Sequence, residues 1–158
     1  MLKKFFFFIL MCVGIYAQTL EGYYLTHPNE RGVQAVVEIF QKDQKYFAYG
    51  FANTDGSASK DQNNPDEKLR GRDMNGVIFV WNLVKDKNEW SGGKIYNYAN
   101  GKTYDASAWF DKNGDLVVKA SVWGFGKKLI WKKITQEEAE KYFSTKPSLQ
   151  TVLQTLPQ

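Results

Sequence analysis

From Gly22 to Ile134 apolar and polar positions alternate in short runs, each closed by turn residues. A period of two places alternate side chains on one face of an extended strand. Val33 to Gln41 has Val33, Ala35, Val37 and Ile39 on one face and Gln34 and Glu38 on the other. Before it, the aromatic stretch Gly22–Thr26 ends at His27-Pro28-Asn29. Lys45–Ala52, Asn75–Val84, Glu89–Tyr98, Lys102–Phe110, Asp115–Trp123 and Lys127–Ile134 bring the predicted strands to eight. Asn100-Gly101 and Asn113-Gly114 are hairpin signals, because both residue types accept the positive φ of a tight turn. Many closely spaced strands without intervening helices predict an antiparallel sandwich or barrel. Sequential hairpins favour an all-β, eight-stranded, up-and-down barrel, which also leaves no free sheet edge.

Three segments break the rhythm. Asn53–Met74 is a polar, charged stretch long enough to suggest a functional or flexible loop. Thr135-Gln136-Glu137-Glu138 reads as a capping box opening a C-terminal α-helix through about Phe143, with Ala139, Tyr142 and Phe143 as its apolar face. Beyond Pro147, Leu149, Val152, Leu153 and Leu156 have helical spacing, and docking on the barrel is favoured over a partner role. At the other end, Lys3-Lys4 precede the apolar run Phe5–Ile15, which is too short to span a ~30 Å hydrocarbon core. That pattern predicts a secretory signal peptide over residues 1–17, cut after Ala17, and an exported protein, periplasmic or secreted. The divisions are then 1–17 signal peptide, 18–134 barrel, and 135–158 C-terminal helix and tail packing on the barrel.

Composition narrows the chemistry. The 158 residues suit one domain, and 21 Lys+Arg against 17 Asp+Glu give +4. Lys3 and Lys4 leave with the signal peptide, so the remainder is +2, too little for a dedicated nucleic-acid binder. One Cys and one His exclude a disulfide framework and a Cys/His zinc site. Cys12 lies within the signal peptide, which removes cysteine chemistry from the mature chain. No cofactor or metal is expected. Asp111–Asp115 lacks the spacing of a calcium loop and reads as a turn, and His27 has no Ser and Asp arrangement around it.

Several motifs resemble known families. Gly22-Tyr23-Tyr24-Leu25-Thr26 looks like the Gly-x-Trp-x-Thr start of lipocalin-like proteins, with Tyr24 in the Trp position. Asn64-Pro65-Asp66 through Leu69-Arg70-Gly71-Arg72, Trp90-Ser91-Gly92-Gly93-Lys94-Ile95-Tyr96 and Gly101-Lys102-Thr103-Tyr104 together resemble the secreted bacterial domain-of-unknown-function family twenty-one forty-seven. The resemblance implies a lipocalin-like (calycin-type) barrel without catalysis. It also implies a basic last-strand residue, Lys133 or Lys132, covering Tyr24 at a closed end.

An eight-stranded barrel either packs its interior solid or holds one small ligand. Alternation points Val37 and Ile39; Tyr46, Ala48 and Gly50; Val77, Phe79, Trp81 and Leu83; Tyr104, Ala106, Ala108 and Phe110; and Leu116, Val118, Ala120 and Val122 inward. Small residues interleaved with aromatics leave apolar space, although the same alternation also suits an interlocked core. The expected ligand wall is Tyr46, Ala48, Phe79, Trp81, Trp90, Tyr96, Tyr104, Phe110 and Val118. Asn64, Asp66, Arg70 and Arg72 in the long loop are candidates for gripping an anionic head group at the mouth, or else for turn and ion-pair roles within the loop. Phe47, Tyr49 and Phe51 share the opposite face, to be covered by the C-terminal helix or a second subunit unless that strand is reversed. Lys127-Lys128 and Lys132-Lys133 read as solvated barrel exterior. The function these features favour is a non-catalytic exported protein holding a small hydrophobic or amphipathic, fatty-acid-like ligand, with a homodimer as a possible assembly. The alternative is an envelope or host protein-interaction module using the outer aromatic patch. An enzyme working at the mouth through Asp66, Arg70 and Lys94 has the least support.

Overall fold

A computed structural model describes residues 18–157; the expected signal peptide lies outside the described residues. Eight strands run β1 (Gly22–Leu25), β2 (Ala35–Lys42), β3 (Lys45–Asn53), β4 (Ile78–Asp86), β5 (Glu89–Asn97), β6 (Lys102–Phe110), β7 (Leu116–Val122) and β8 (Phe125–Ile134). Each pairs antiparallel with its sequence neighbour, and β1 closes on β8 through Tyr23↔Ile134, Tyr24↔Lys133 and Leu25↔Lys132. The structure is thus the closed up-and-down barrel that the alternation predicts.

The interior cluster collects alternate residues from every strand, among them Tyr24, Val37, Ile39, Tyr46, Ala48, Leu83, Trp90, Ile95, Ala108, Leu116, Val118 and Trp131. Strand β4 departs from simple alternation. Its pairing with β3 shifts register twice, and Asn82 sits at φ +60°. Each bulge reverses the parity of the residues beyond it. Val80 and Leu83 therefore enter the barrel core, whereas Ile78 and Trp81 pack outside it. The inward placement expected for Trp81 and Val77 is corrected accordingly: Trp81 joins the outer clusters and Val77 packs with Met74 and Tyr96 beneath the long loop.

A second core lies on the outside of the barrel. Phe47, Tyr49 and Phe51 are 5%, 0% and 1% exposed there, together with Val36, Phe40 and Ile78. Their cover is the chain's own C-terminal segment, with Val152 fully buried and Tyr142, Phe143, Leu153 and Leu156 packed around them. The outer aromatic patch on which the interaction-module alternative relied is therefore not a surface. The expected docking of the tail is what removes it, and the inward assignment of Tyr46 and Ala48 holds.

The tail is more broken than the single helix through Phe143 that its apolar spacing suggests. Helix α1 covers only Gln136–Glu140, a 3-10 turn follows at Phe143–Thr145, and α2 spans Leu149–Leu153. The capping box is present: the Thr135 hydroxyl accepts from the Glu138 amide at 3.2 Å and Glu138 accepts from the Thr135 amide at 2.7 Å. Thr145 Oγ1 donates to the Phe51 carbonyl at 2.8 Å, and Thr155 Oγ1 accepts from the Ile78 amide at 2.9 Å. The tail thus supplies partners to backbone groups of β3 and β4 and breaks its own helix to reach them.

Lys146 fastens it. Its ammonium lies 2.9 Å from Glu38 and within 5.5–6.0 Å of the Phe143, Tyr23, Tyr49 and Phe51 ring centres. Tyr49 donates its hydroxyl to the same Glu38 carboxylate. A partly buried cation among four ring faces gains more from them than an exposed one does.

Candidate functional site

The β1–β2, β3–β4, β5–β6 and β7–β8 connections gather at one end of the barrel and the remaining turns at the other. The second end is solid. Tyr46, Trp90 and Phe110 meet edge to face there, with centroids 6.0 Å and 5.7 Å apart. Tyr24 donates its hydroxyl to the Leu20 carbonyl at 2.8 Å, which draws the N-terminal segment across the base. Lys133 covers Tyr24, its ammonium 5.6 Å from the ring centre and donating to the Thr19 and Glu21 carbonyls. The basic cover implied by the resemblance is therefore Lys133. The interior void here is about 10 Å³ and lined by apolar side chains, room for about one water at most and for no ligand.

The first end is open. An open pocket of about 1710 Å³ takes in the barrel mouth together with the surrounding loops and the outer groove beside Phe51, Tyr142 and Thr145; its part inside the barrel reaches down to Trp131 and Phe79, whose rings lie 5.9 Å apart. Ala35, Gly50 and Ala120 lower the wall on three strands, and Ile95, Tyr104 and Leu129 complete its apolar surface. At Gly50 an added Cβ would meet only Val37 Cγ1 at 3.8 Å and the Val36 carbonyl oxygen at 3.9 Å, so nothing in the packing demands glycine there. The interior is packed in one half and hollow in the other.

Of the residues expected to form the ligand wall, Phe79, Tyr96 and Tyr104 border this cavity. Tyr46, Ala48, Trp90, Phe110 and Val118 instead belong to the solid half, and Trp81 faces outward. Alternation specifies which face a residue occupies and is silent on its height along the barrel. Residues that the strand pattern did not assign to the wall also line the cavity: Ala35, Leu129 and Trp131 from their strand faces, and Lys127 and Arg31 at the rim. Lys127 pairs with Ala120 and shares the inward parity of Leu129 and Trp131. Its reading as solvated holds, since Lys127 is exposed at the open rim, and the register changes only its side of the sheet; Lys128, one residue on, faces outward. Neither Lys127 nor Arg31 enters an ion pair among the described residues.

The long-loop candidates hold the loop and do not line the cavity. Asp66 caps a 3-10 turn at Glu67–Leu69 by accepting from the Lys68 amide at 3.0 Å. Arg70 donates to the Asn64 carbonyl at 2.9 Å and pairs with Glu67. Arg72 and Asn64 converge on Asp61, a residue that no sequence signal set apart. This fully buried carboxylate accepts from Arg72 Nε at 2.8 Å, Asn64 Nδ2 at 2.7 Å and the Tyr96 hydroxyl at 2.6 Å. Lys94, also a mouth candidate, makes an exposed ion pair with Asp105 at 2.6 Å. Among the described residues no group of three or more His, Cys, Asp or Glu side chains could hold a metal ion.

Burial raises the pKa values of three structural tyrosines. Tyr96 is pushed up to about 12, first by desolvation and then by Asp61. Tyr24 and Tyr49 move higher still, through desolvation first and, for Tyr49, also through Glu38. A group whose folded pKa exceeds its unfolded value contributes stability below the unfolded pKa, here 10.0, and loses it as pH climbs towards the folded one. Lys133, lowered from 10.5 by its burial, has the opposite sign over the window just below 10.5. Three tyrosines outweigh one lysine, so stability is expected to fall steeply above about pH 10. Circular dichroism and tyrosinate absorbance followed together would show these tyrosines ionising only as the barrel unfolds; free ionisation in a folded barrel would contradict their burial.

The comparisons with known proteins agree with this architecture. Residues 22–133 match the family model described as "Uncharacterized protein conserved in bacteria (DUF2147)". A solved structure, described as "Protein HP1028 from the human pathogen Helicobacter pylori belongs to the lipocalin family", is 38% identical. It superposes with a TM-score of 0.79 over 89% of this chain and 100% of that one. No curated protein matches the chain. No helix among the described residues is long and apolar enough to cross a membrane. On the family match and the shared eight-stranded barrel, the chain belongs to the DUF2147 family and carries a lipocalin-like fold, one that suggests small-molecule binding.

Proposed function

We propose that this protein is a non-catalytic, exported carrier that holds one amphipathic, fatty-acid-like molecule in the open half of its barrel. The observation that carries the reading is the hollow barrel mouth, the inner part of an open pocket of about 1710 Å³, with an apolar floor and a rim that carries Arg31 and Lys127 alongside Glu30 and Asp73. Apolar clefts with a few placed polar groups are the usual form of small-molecule sites. Trp131, Phe79, Ile95 and Leu129 would receive an acyl chain, and the solid half below would set its depth. Lys127 and Arg31, both exposed at the rim, would meet a carboxylate head group, for which ammonium and guanidinium donors are suited. Export rests on the charged start and short apolar run of residues 1–17.

Titration with a fluorescent long-chain fatty acid tests this reading. The chain is expected to bind it, and Gly50→Leu combined with Ala120→Phe is expected to abolish uptake by obstructing the way from the mouth down to Trp131, while leaving the melting temperature nearly unchanged. Lys127→Glu is expected to weaken uptake several-fold at low ionic strength and less at high salt, since the head group would face a like charge at an exposed rim. Equal uptake by the obstructed variant would place the ligand elsewhere and overturn the assignment.

A further inference from the structure

We propose that the β7–β8 hairpin tip docks on an anionic lipid bilayer, which would seat the cavity mouth against the membrane surface. The tip is the most exposed apolar feature among the described residues: Trp123 is 92%, Phe125 86% and Val122 52% exposed. Large aromatics standing in water mark an interaction site more often than a structural one. Trp123 also holds φ +50°, a left-handed conformation that a bulky side chain rarely adopts and that Asn or Gly would accept readily. Trp123 is absent from the aromatic pairs and cation–π contacts of the described residues, so the aromatic contacts of the fold do not explain its choice.

The stem beneath the tip carries the complementary charge. Lys119 and Lys128 face each other directly across the β7–β8 ladder, a like-charge pair that weakens a sheet. Lys127, one rung nearer the tip, adds its charge on the opposite face at the cavity rim, and no acidic residue occurs between Asp115 and Glu137. From the neighbouring strand, Asp105 stands opposite Ser121, but Lys94 already neutralises it at 2.6 Å. Lys119 donates to the Gly124 carbonyl at 2.6 Å and so braces the turn. A projecting Trp/Phe tip above an unneutralised lysine stem suits a bilayer interface. The rings enter the head-group layer while the ammonium groups stay with anionic phosphates. A flat protein partner would leave much of so convex a tip uncovered. Phe125 and Val122 also line the cavity rim, which puts the docking surface next to the opening.

Vesicle co-sedimentation tests this independently of any cavity ligand. Both cores and the closed sheet lie within the described residues, so a chain beginning at Gln18 is used. It is expected to bind phosphatidylcholine vesicles containing one quarter phosphatidylglycerol and to bind pure phosphatidylcholine about tenfold or more weakly. Trp123→Ser with Phe125→Ser, and separately Lys119→Gln with Lys128→Glu, are each expected to remove most binding to the anionic vesicles while the circular dichroism spectrum stays that of the folded barrel, the second pair at some cost in melting temperature from the lost Gly124 brace. Absence of binding to anionic vesicles, or binding that survives both pairs, would overturn the proposal. So would self-association abolished by the aromatic pair, which would make the tip a contact between copies of this chain.

Discussion

A chain lacking residues 141–158 is expected to leave the soluble, well-folded state and form larger species. The segment covers Val36, Phe40, Phe47, Tyr49, Phe51 and Ile78, all below a tenth exposed. Uncovering side chains worth about 1.5–3 kcal/mol each when buried removes on the order of 5 kcal/mol or more from a domain held by ~5–15 kcal/mol. Two backbone groups, the Phe51 carbonyl and the Ile78 amide, also lose their Thr145 and Thr155 partners. Light scattering after size exclusion would read the outcome. A milder variant isolates the latch: Lys146→Glu places a second carboxylate beside Glu38 and empties the ring cluster of its cation, at an expected cost of about 1–2 kcal/mol. A truncated chain with the elution and melting behaviour of the full one would show that the barrel needs no such cover.

The second large effect is expected at Asp61. Its carboxylate gathers Arg72, Asn64 and Tyr96, which tie the middle of the long β3–β4 loop to strand β5. Removing one partner of a buried ion pair ordinarily costs about 3–5 kcal/mol, because the other charge is stranded. Arg72 keeps 29% of its side chain exposed and can turn to water, so Asp61→Ala is expected to cost about 2–4 kcal/mol and lower Tm by roughly 5–15 °C. Tyr96→Phe, which removes one donor and leaves the ion pair, is expected to cost about 1 kcal/mol. The loop closes onto the β5–β6 turn as well: Asn63 donates to the Ala99 carbonyl at 2.9 Å, and at Gly101 a Cβ would fall 1.8 Å from the Asn63 carbonyl oxygen. A thermal melt of Asp61→Ala within about 0.5 kcal/mol of the parent would mean the anchor carries no weight.

The strands and their order were legible because period-two alternation and Asn-Gly turns are local signals. The capping box at Thr135 and the docking of the tail were legible for the same reason. What alternation could not convey was a change of parity within a strand: the two bulges in β4 exchange Trp81 for Val80 on the inner face. Nor does it carry height. Tyr46, Trp90 and Phe110 share the inward face with the cavity wall yet seal the opposite end, because strand stagger places them beside the lower turns. Lys127 was legible in principle, as Phe125, Lys127, Leu129 and Trp131 alternate on one face. A low net charge favoured reading it as exterior; it is indeed exposed, but net charge has no bearing on which side of the sheet a single lysine takes. Asp61 had no local signature, since one aspartate among many polar loop residues becomes special only when β5 brings Tyr96 beneath it.

The occupancy of the hollow half is tested most directly by native mass spectrometry of the protein freshly purified from an expressing cell, followed by solvent extraction and identification of the released molecule. One small amphipathic adduct per barrel is expected, absent from the Gly50→Leu, Ala120→Phe variant prepared in the same way. An empty parent barrel that also takes up no added fatty acid would contradict the central reading of the cavity.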